Sequence, residues 1–198
     1  MEDTIVGLAT AAGEGGVAIV RMSGDTAIAL FEQVFRARKF APPYESHRLM
    51  LGRVMDGEAA LDEAMGVVMR APASYTREDV CEIHTHGGRA AAGAVLRLLL
   101  QRGARVAEPG EFTRRAFCNG RIDLSQAEAV MGVIGARSER ALRSELRQLE
   151  GGSSRFVKDL QARLTRLLAG LEAHLDYPEE ISQEEAAGDL LAGLDECI

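Results

Sequence analysis

The hydrophobic patterning of this chain changes character within one stretch, residues 108–129, and that change constrains the fold more than any other feature. Before it, short β-branched runs alternate with glycine turns and short helical patterns. After it, apolar residues recur at three- and four-residue steps. A chain patterned this way is expected to be α+β: a mixed β-sheet domain with packed helices, followed by an α-helical domain. Within the stretch, Pro109-Gly110 marks a turn, 111–118 fits one short helix, and Asn119-Gly120 stops it. Arg121 falls on the hinge. Asp123 opens the next helix, with Gln126 at capping-box spacing. The expected division is therefore 1–118 and 119–198. One reading of the stretch is an ordinary hinge with solvated arginines.

The first part reads as a strand over 4–9, a glycine-containing loop over 11–16 and a strand over 17–22. Alternation in the second strand puts Val17, Ile19 and Arg21 on one face and Ala18, Val20 and Met22 on the other. Ser23-Gly24-Asp25 caps a helix over 26–35. After Ala41-Pro42-Pro43, residues 47–55 and 63–69 read as a hairpin around Asp56-Gly57. A strand over 79–86, a helix over 89–102 that is apolar nearly all round, and a short strand at 105–107 complete the sheet domain.

In the second part, Leu142, Leu146, Leu149, Phe156, Leu160, Leu164, Leu167, Leu171 and Leu175 form a long stripe that asks for a partner helix. Gly151-Gly152 interrupts it, by a kink or by a close neighbour, and Pro178 ends it. Residues 183–198 begin another amphipathic helix that stops without a cap, so the chain reads as a fragment cut inside a helical domain. Charge is uneven along the 198 residues, whose net charge is -7. Residues 171–198 hold nine acidic residues and no lysine or arginine, which repels phosphate; residues 119–170 carry a modest net +3. No apolar run is long enough to span a bilayer. Cys81, Cys118 and Cys197 make neither a disulfide framework nor a metal spacing, which points to a reducing cytoplasm.

Three groups of residues carry possible chemistry. Gly13-Glu14-Gly15-Gly16 lies between two strands rather than before a helix, so it reads as a tight turn; with no Gly-x-x-x-x-Gly-Lys-Ser/Thr present, the chain shows no nucleotide site of its own. Glu82, His84 and His86 share one face of a strand. Zinc is one reading of that set, but no fourth ligand is evident and hydrogen-bonded histidines are the plainer one, so no metal is assigned. Alternatively, the Glu82 carboxylate accepts paired hydrogen bonds from a planar donor edge such as that of a pterin or guanine. Arg21 and Arg121 each lie near a glycine and match carboxylate oxygens. The three together fit a small ligand with a donor edge at one end and acids at the other. No residue is assigned as catalytic.

These residues also carry a resemblance. Asp3-Thr4-Ile5-Val6, Gly13-x-Gly15-Gly16-Val17-x-Ile19-x-Arg21-x-Ser23-Gly24, Glu78-Asp79-Val80-x-Glu82-x-x-x-His86-Gly87-Gly88 and Pro109-Gly110-Glu111-Phe112-x-x-Arg115-Ala116-Phe117-x-Asn119-x-Arg121-x-Asp123-Leu124-x-Gln126-Ala127-Glu128-Ala129 resemble the N-terminal part of the tRNA-modifying GTPase family MnmE/TrmE. The resemblance implies an aminomethyltransferase-like folate-binding domain and then the first half of a helical domain, with an inserted G domain and a C-terminal motif beyond. It implies that the whole protein, with a flavoprotein partner of the MnmG/GidA type, forms the carboxymethylaminomethyl group at carbon 5 of the wobble uridine of tRNA. It further implies homodimerisation through the N-terminal domain. The one-carbon donor is expected to be 5-formyltetrahydrofolate or 5,10-methylenetetrahydrofolate, held by Arg21, Glu82 and Arg121. GTP, Mg2+ and K+ are expected in the G domain. At the position of Arg121 the family often has Lys.

Overall fold

The computed structural model describes residues 3–11, 13–176, 188 and 191–193, with 153, 154, 174 and 175 as backbone only. Two compact units divide the chain, Met1–Ile122 and Asp123–Ile198. Residues 119–122 belong to the first of them. The Arg121 amide bonds the Ala116 carbonyl at 2.8 Å, and Ile122 is buried.

The first unit is a seven-stranded mixed sheet. Its strands are β1 (Ile5–Leu8), β2 (Val17–Ser23), β3 (Phe35–Ala37), β4 (Met50–Asp56), β5 (Ala59–Met69), β6 (Val80–His86) and β7 (Arg105–Val106). Their order is β3-β4-β5-β6-β2-β1-β7. Neighbours are antiparallel except β1 and β7, which run parallel. Helices α1 (Ala27–Val34) and α2 (Arg89–Gln101) cover one face, where Val20, Met22, Phe31, Phe35, Ile83, Val95 and Leu99 form the core. Phe31 stacks on Phe35 with ring centroids 4.8 Å apart, and Tyr44 meets both rings edge-on. The alternation expected in the second strand holds. Val20 and Met22 are buried, so Ile19 and Arg21 face away from the helices.

Three elements differ from the sequence reading. Residues 35–37 are an edge strand rather than the end of a helix; β3 follows α1 without a loop and exists only through its pairing with β4. The hairpin is longer on its second side, because β5 starts at Ala59 directly after a turn at Gly57, whose φ is 61°. A shift in the register between Val54 and Met55 accommodates the extra residue. Helix α2 is one-sided: Ala92, Val95, Leu98 and Leu99 are buried, whereas Ala90 is exposed, since small alanines tolerate either environment.

Helix α3 (Glu111–Cys118) closes the first unit. The second unit contains α4 (Leu124–Gly135), α5 (Glu139–Leu149) and α6 (Gly152–Asp176). The Asp123 capping box is complete, and the Ser138 hydroxyl caps α5. The long apolar stripe is split at Gly151, whose φ of 79° ends α5. Gln126 Nε2 donates to the Leu149 carbonyl at 2.7 Å there, supplying a partner that the helix end lacks. Along α6, Phe156, Val157, Leu164 and Leu168 are exposed. The expected helix end at Pro178, and the pattern over 183–198 apart from 188 and 191–193, lie outside the described residues. No helix among the described residues is long and apolar enough to cross a membrane.

Candidate ligand site on the sheet face opposite the helices

The site is set by strand register. Arg21 on β2 stands directly opposite Glu82 on β6. Both belong to the parity that points away from α1 and α2. Arg21 Nε and Nη2 each lie 2.7 Å from Glu82 Oε1. His84, two residues along β6 and so on the same face, places Nε2 3.0 Å from Glu82 Oε2. An ionised carboxylate only accepts, so Nε2 is the donor. Burial opposes the charge on Glu82, but the His84 hydrogen bond and the Arg21 guanidinium outweigh it and hold the carboxyl below its ordinary range. Glu82 is therefore an anion here at neutral pH. A carboxylate has about four lone-pair positions; Arg21 meets Oε1 through two nitrogens and His84 takes one position on Oε2, so the remaining acceptor capacity lies on Oε2.

Next to Arg21 in the register comes Gly7 on β1. A Cβ there would lie 3.4 Å from the Phe112 ring, so Phe112 of α3 lies over the strand at this position. The Arg21 guanidinium lies 5.7 Å from the Phe112 centroid and 5.3 Å from that of Tyr75. Tyr75 comes from the loop between β5 and β6. Its hydroxyl lies 3.0 Å from Thr113 Oγ1. Arg121 sits over the same ring, 4.4 Å from its centroid. The three expected site residues thus arrive from β2, from β6 and from the segment after α3, and Tyr75 touches both arginines. Tyr75 and Phe112 were not singled out by sequence reasoning. Phe112 stands inside the Pro109-Gly110-Glu111-Phe112 motif, and the signal for Tyr75 is rarity, since aromatic residues are 5% of the chain.

The motif residues of α3 hold this arrangement from behind. Glu111 is buried, and its carboxylate accepts from Arg105 at 2.6 and 3.1 Å, from the Glu108 amide at 2.7 Å and from Arg115 at 3.3 Å. The Arg105 hydrogen bond is the main reason its carboxyl is lowered to about 2. Arg115 reaches Asp3 at 2.7 Å and Glu78 at 3.3 Å, and Asp3 also pairs with Arg105. Ser23 Oγ lies 2.6 Å from both Thr76 Oγ1 and Glu78 Oε2. Asn119 Nδ2 donates to the Thr76 carbonyl at 2.7 Å. This network ties the N-terminus, the Tyr75 loop and α3 together, and so fixes the segment carrying Arg121.

The zinc-type alternative loses its geometry. His84 turns to Glu82 while His86 turns to Asp62, 2.7 Å away, whose hydrogen bond raises the His86 imidazole above its ordinary value. Among the described residues no group of three His, Cys, Asp or Glu side chains converges on a metal position. The glycine loop packs against Gly87, where a Cβ would lie 1.9 Å from the Gly15 carbonyl oxygen.

The fold and site together define a class: an α+β domain with a charged, aromatic-walled site on one sheet face, followed by a helical domain. Residues 4–121 match the family model described as GTP-binding protein TrmE N-terminus, and residues 124–198 match the MnmE helical domain. The chain belongs to the MnmE/TrmE family. It is similar to proteins named tRNA modification GTPase MnmE. The Moorella thermoacetica protein is 52% identical, over 100% of this chain and 45% of the relative. That of Listeria welshimeri is 47% identical, over 96% and 41%, and that of Shouchella clausii 49%, over 89% and 39%. The chain thus spans less than half the length of these relatives.

Proposed function

We propose that this chain is the tetrahydrofolate-binding and homodimerising part of a cytoplasmic tRNA modification GTPase. In this reading Glu82 accepts the N–H and amino donors along the pterin edge, while Arg21 and Arg121 hold ligand oxygens or the glutamate tail. The observation that carries the reading is that Arg21 and Arg121 share the Tyr75 ring while Arg21 pairs with Glu82, in a chain of this family. The donor set fits the ligand, since an ionised acceptor pairs with Arg21, which in turn adjoins two flat rings that match a flat heterocycle, with Arg121 over one of them. The 5-formyl or 5,10-methylene form of the folate supplies a one-carbon unit at the level of the whole protein. There, GTP, Mg2+ and K+ serve a G domain, and a flavoprotein partner and tRNA complete the system. Calorimetric titration of the chain with 5-formyltetrahydrofolate tests the ligand. Saturable binding is expected, and a flat titration overturns the reading.

One observation favours a second reading, a dimerisation scaffold without a ligand. Glu82 already holds Arg21 and His84, as a purely structural carboxylate does. Sedimentation at varied folate concentration separates the two: a dimer in a chain that binds no folate supports the scaffold.

A further inference from the structure

The β3 edge of the sheet carries a cluster of cations that the proposed folate site does not use. Arg36 on β3 stands directly opposite Arg53 on β4, and Arg53 stands opposite Glu63 on β5. Like charges facing each other across a ladder repel and destabilise it, so the pair is retained at a cost to the sheet. One carboxylate, Glu63, serves the group, and it meets Arg38 only at 3.9 Å, with both side chains at least half exposed. Arg36 donates to the Glu32 and Phe35 carbonyls, which fixes its guanidinium without neutralising it. The Arg53 side chain makes no hydrogen bond or ion pair among the described residues, its backbone being part of the β3–β4–β5 ladder. The three arginines line a cavity of about 400 Å3 with Gly52, Met55 and Glu63. Gly52, of the opposite parity, sits where a Cβ would lie 2.4 Å from the Arg36 carbonyl oxygen and 2.6 Å from the Phe35 ring, so the glycine allows the close packing of β3 and the core at this edge.

Glu63, Met65 and Val67 alternate along β5, and Val67 stands opposite Glu82. The arginine cluster therefore lies on the same sheet face as the candidate folate site. Strand spacings of about 4.8 Å and rises of about 3.3 Å per residue put Arg53 on the order of 15 Å from Glu82.

We infer that the Arg36–Arg38–Arg53 cluster binds phosphodiester groups of an RNA backbone, guiding tRNA along the sheet face toward the one-carbon site. The inference rests on the tRNA reading proposed above. Guanidinium forks match phosphate oxygens, and three of them around a single carboxylate leave an excess of two positive charges. These contacts position the RNA and carry no sequence information.

The test is anisotropy of a labelled, unmodified tRNA transcript titrated with this chain between 50 and 200 mM KCl. The variant R36Q/R38Q/R53Q is expected to bind at least about tenfold more weakly, with a log–log salt slope shallower by about 2–3. Arg53→Gln alone, which breaks no side-chain hydrogen bond or ion pair among the described residues, is expected to flatten the slope by about 1. The variant R140Q/R143Q/R147Q on α5 makes the same change in charge and is expected to stay within about twofold of the parent. Equal losses from both triple variants, an unchanged R53Q slope, or a parent that binds no tRNA each overturn the inference. Titration with 5-formyltetrahydrofolate on the same proteins separates the two claims. Normal folate binding with tRNA affinity unaffected by the triple variant removes this inference alone. Loss of tRNA affinity in the variant of a parent that binds no folate removes the folate reading and leaves this one standing.

Discussion

Arg21 and Glu82 are cross-strand partners in which two guanidinium nitrogens converge on one carboxylate oxygen, each at 2.7 Å. The second oxygen is turned to His84. The pair is partly buried, with side chains 25% and 12% exposed, so breaking it leaves a charge with reduced access to water. This relationship holds Glu82 ionised and aimed, and it makes Arg21 a supporting residue as well as a candidate ligand contact.

Tyr75 is predicted to be the residue through which the two arginines are held. Tyr75→Leu removes both ring contacts and is expected to weaken 5-formyltetrahydrofolate binding by about 1–2 kcal/mol, the range of partly desolvated cation–π pairs. Tyr75→Phe keeps the ring and loses only the hydroxyl contact to Thr113, so its effect is expected to stay below about 1 kcal/mol. Calorimetry on the two variants checks the order. Equal losses contradict a role for the ring.

Acid stability is predicted to depend on Glu111. Its folded carboxyl titrates at about 2, below the ordinary value of about 4.3. A depressed carboxyl stabilises the fold fully above the ordinary value and loses that contribution as pH falls through the folded one. Glu111→Gln is expected to cost on the order of 2–4 kcal/mol at pH 7, because it strips a buried acceptor from several donors. The difference in Tm between parent and variant is expected to narrow below about pH 4.3 and to close near pH 2. Thermal melts across that range check it, and a constant difference contradicts it.

Two neighbouring glycines are predicted to respond differently to alanine. At Gly87 a Cβ would lie 1.9 Å from the Gly15 carbonyl oxygen and 2.8 Å from the Val17 amide nitrogen, both backbone atoms. At Gly88 it meets nothing within 4 Å, and the backbone there is extended. Gly87→Ala is expected to cost about 2–3 kcal/mol by overpacking and Gly88→Ala less than about 1. Chemical denaturation of both variants gives the comparison.

Much of the site was legible because strand parity is local. The alternation Val17, Ile19, Arg21 and the alternation Glu82, His84, His86 each placed their polar residues on one face. Nothing in the sequence set Arg21 opposite Glu82; the register of β2 on β6 did. Tyr75 escaped notice because a loop residue gains its role only from where the loop lands. Glu111 and Arg115 read as connector charges and proved to be partly or fully buried, since Arg115 bonds Asp3, 112 residues away in sequence. The strand at 35–37 was hidden for the same reason: three residues carry no period, and their pairing with β4 is tertiary.

The most direct measurement is calorimetric titration of 5-formyltetrahydrofolate into the parent and into Glu82→Ala. If Glu82 reads the pterin edge with charge-assisted hydrogen bonds worth about 1.5–3 kcal/mol each, the variant is expected to bind at least about tenfold more weakly. Its melting behaviour, followed alongside, guards against simple unfolding. A folded Glu82→Ala chain that binds the folate as tightly as the parent would contradict the account.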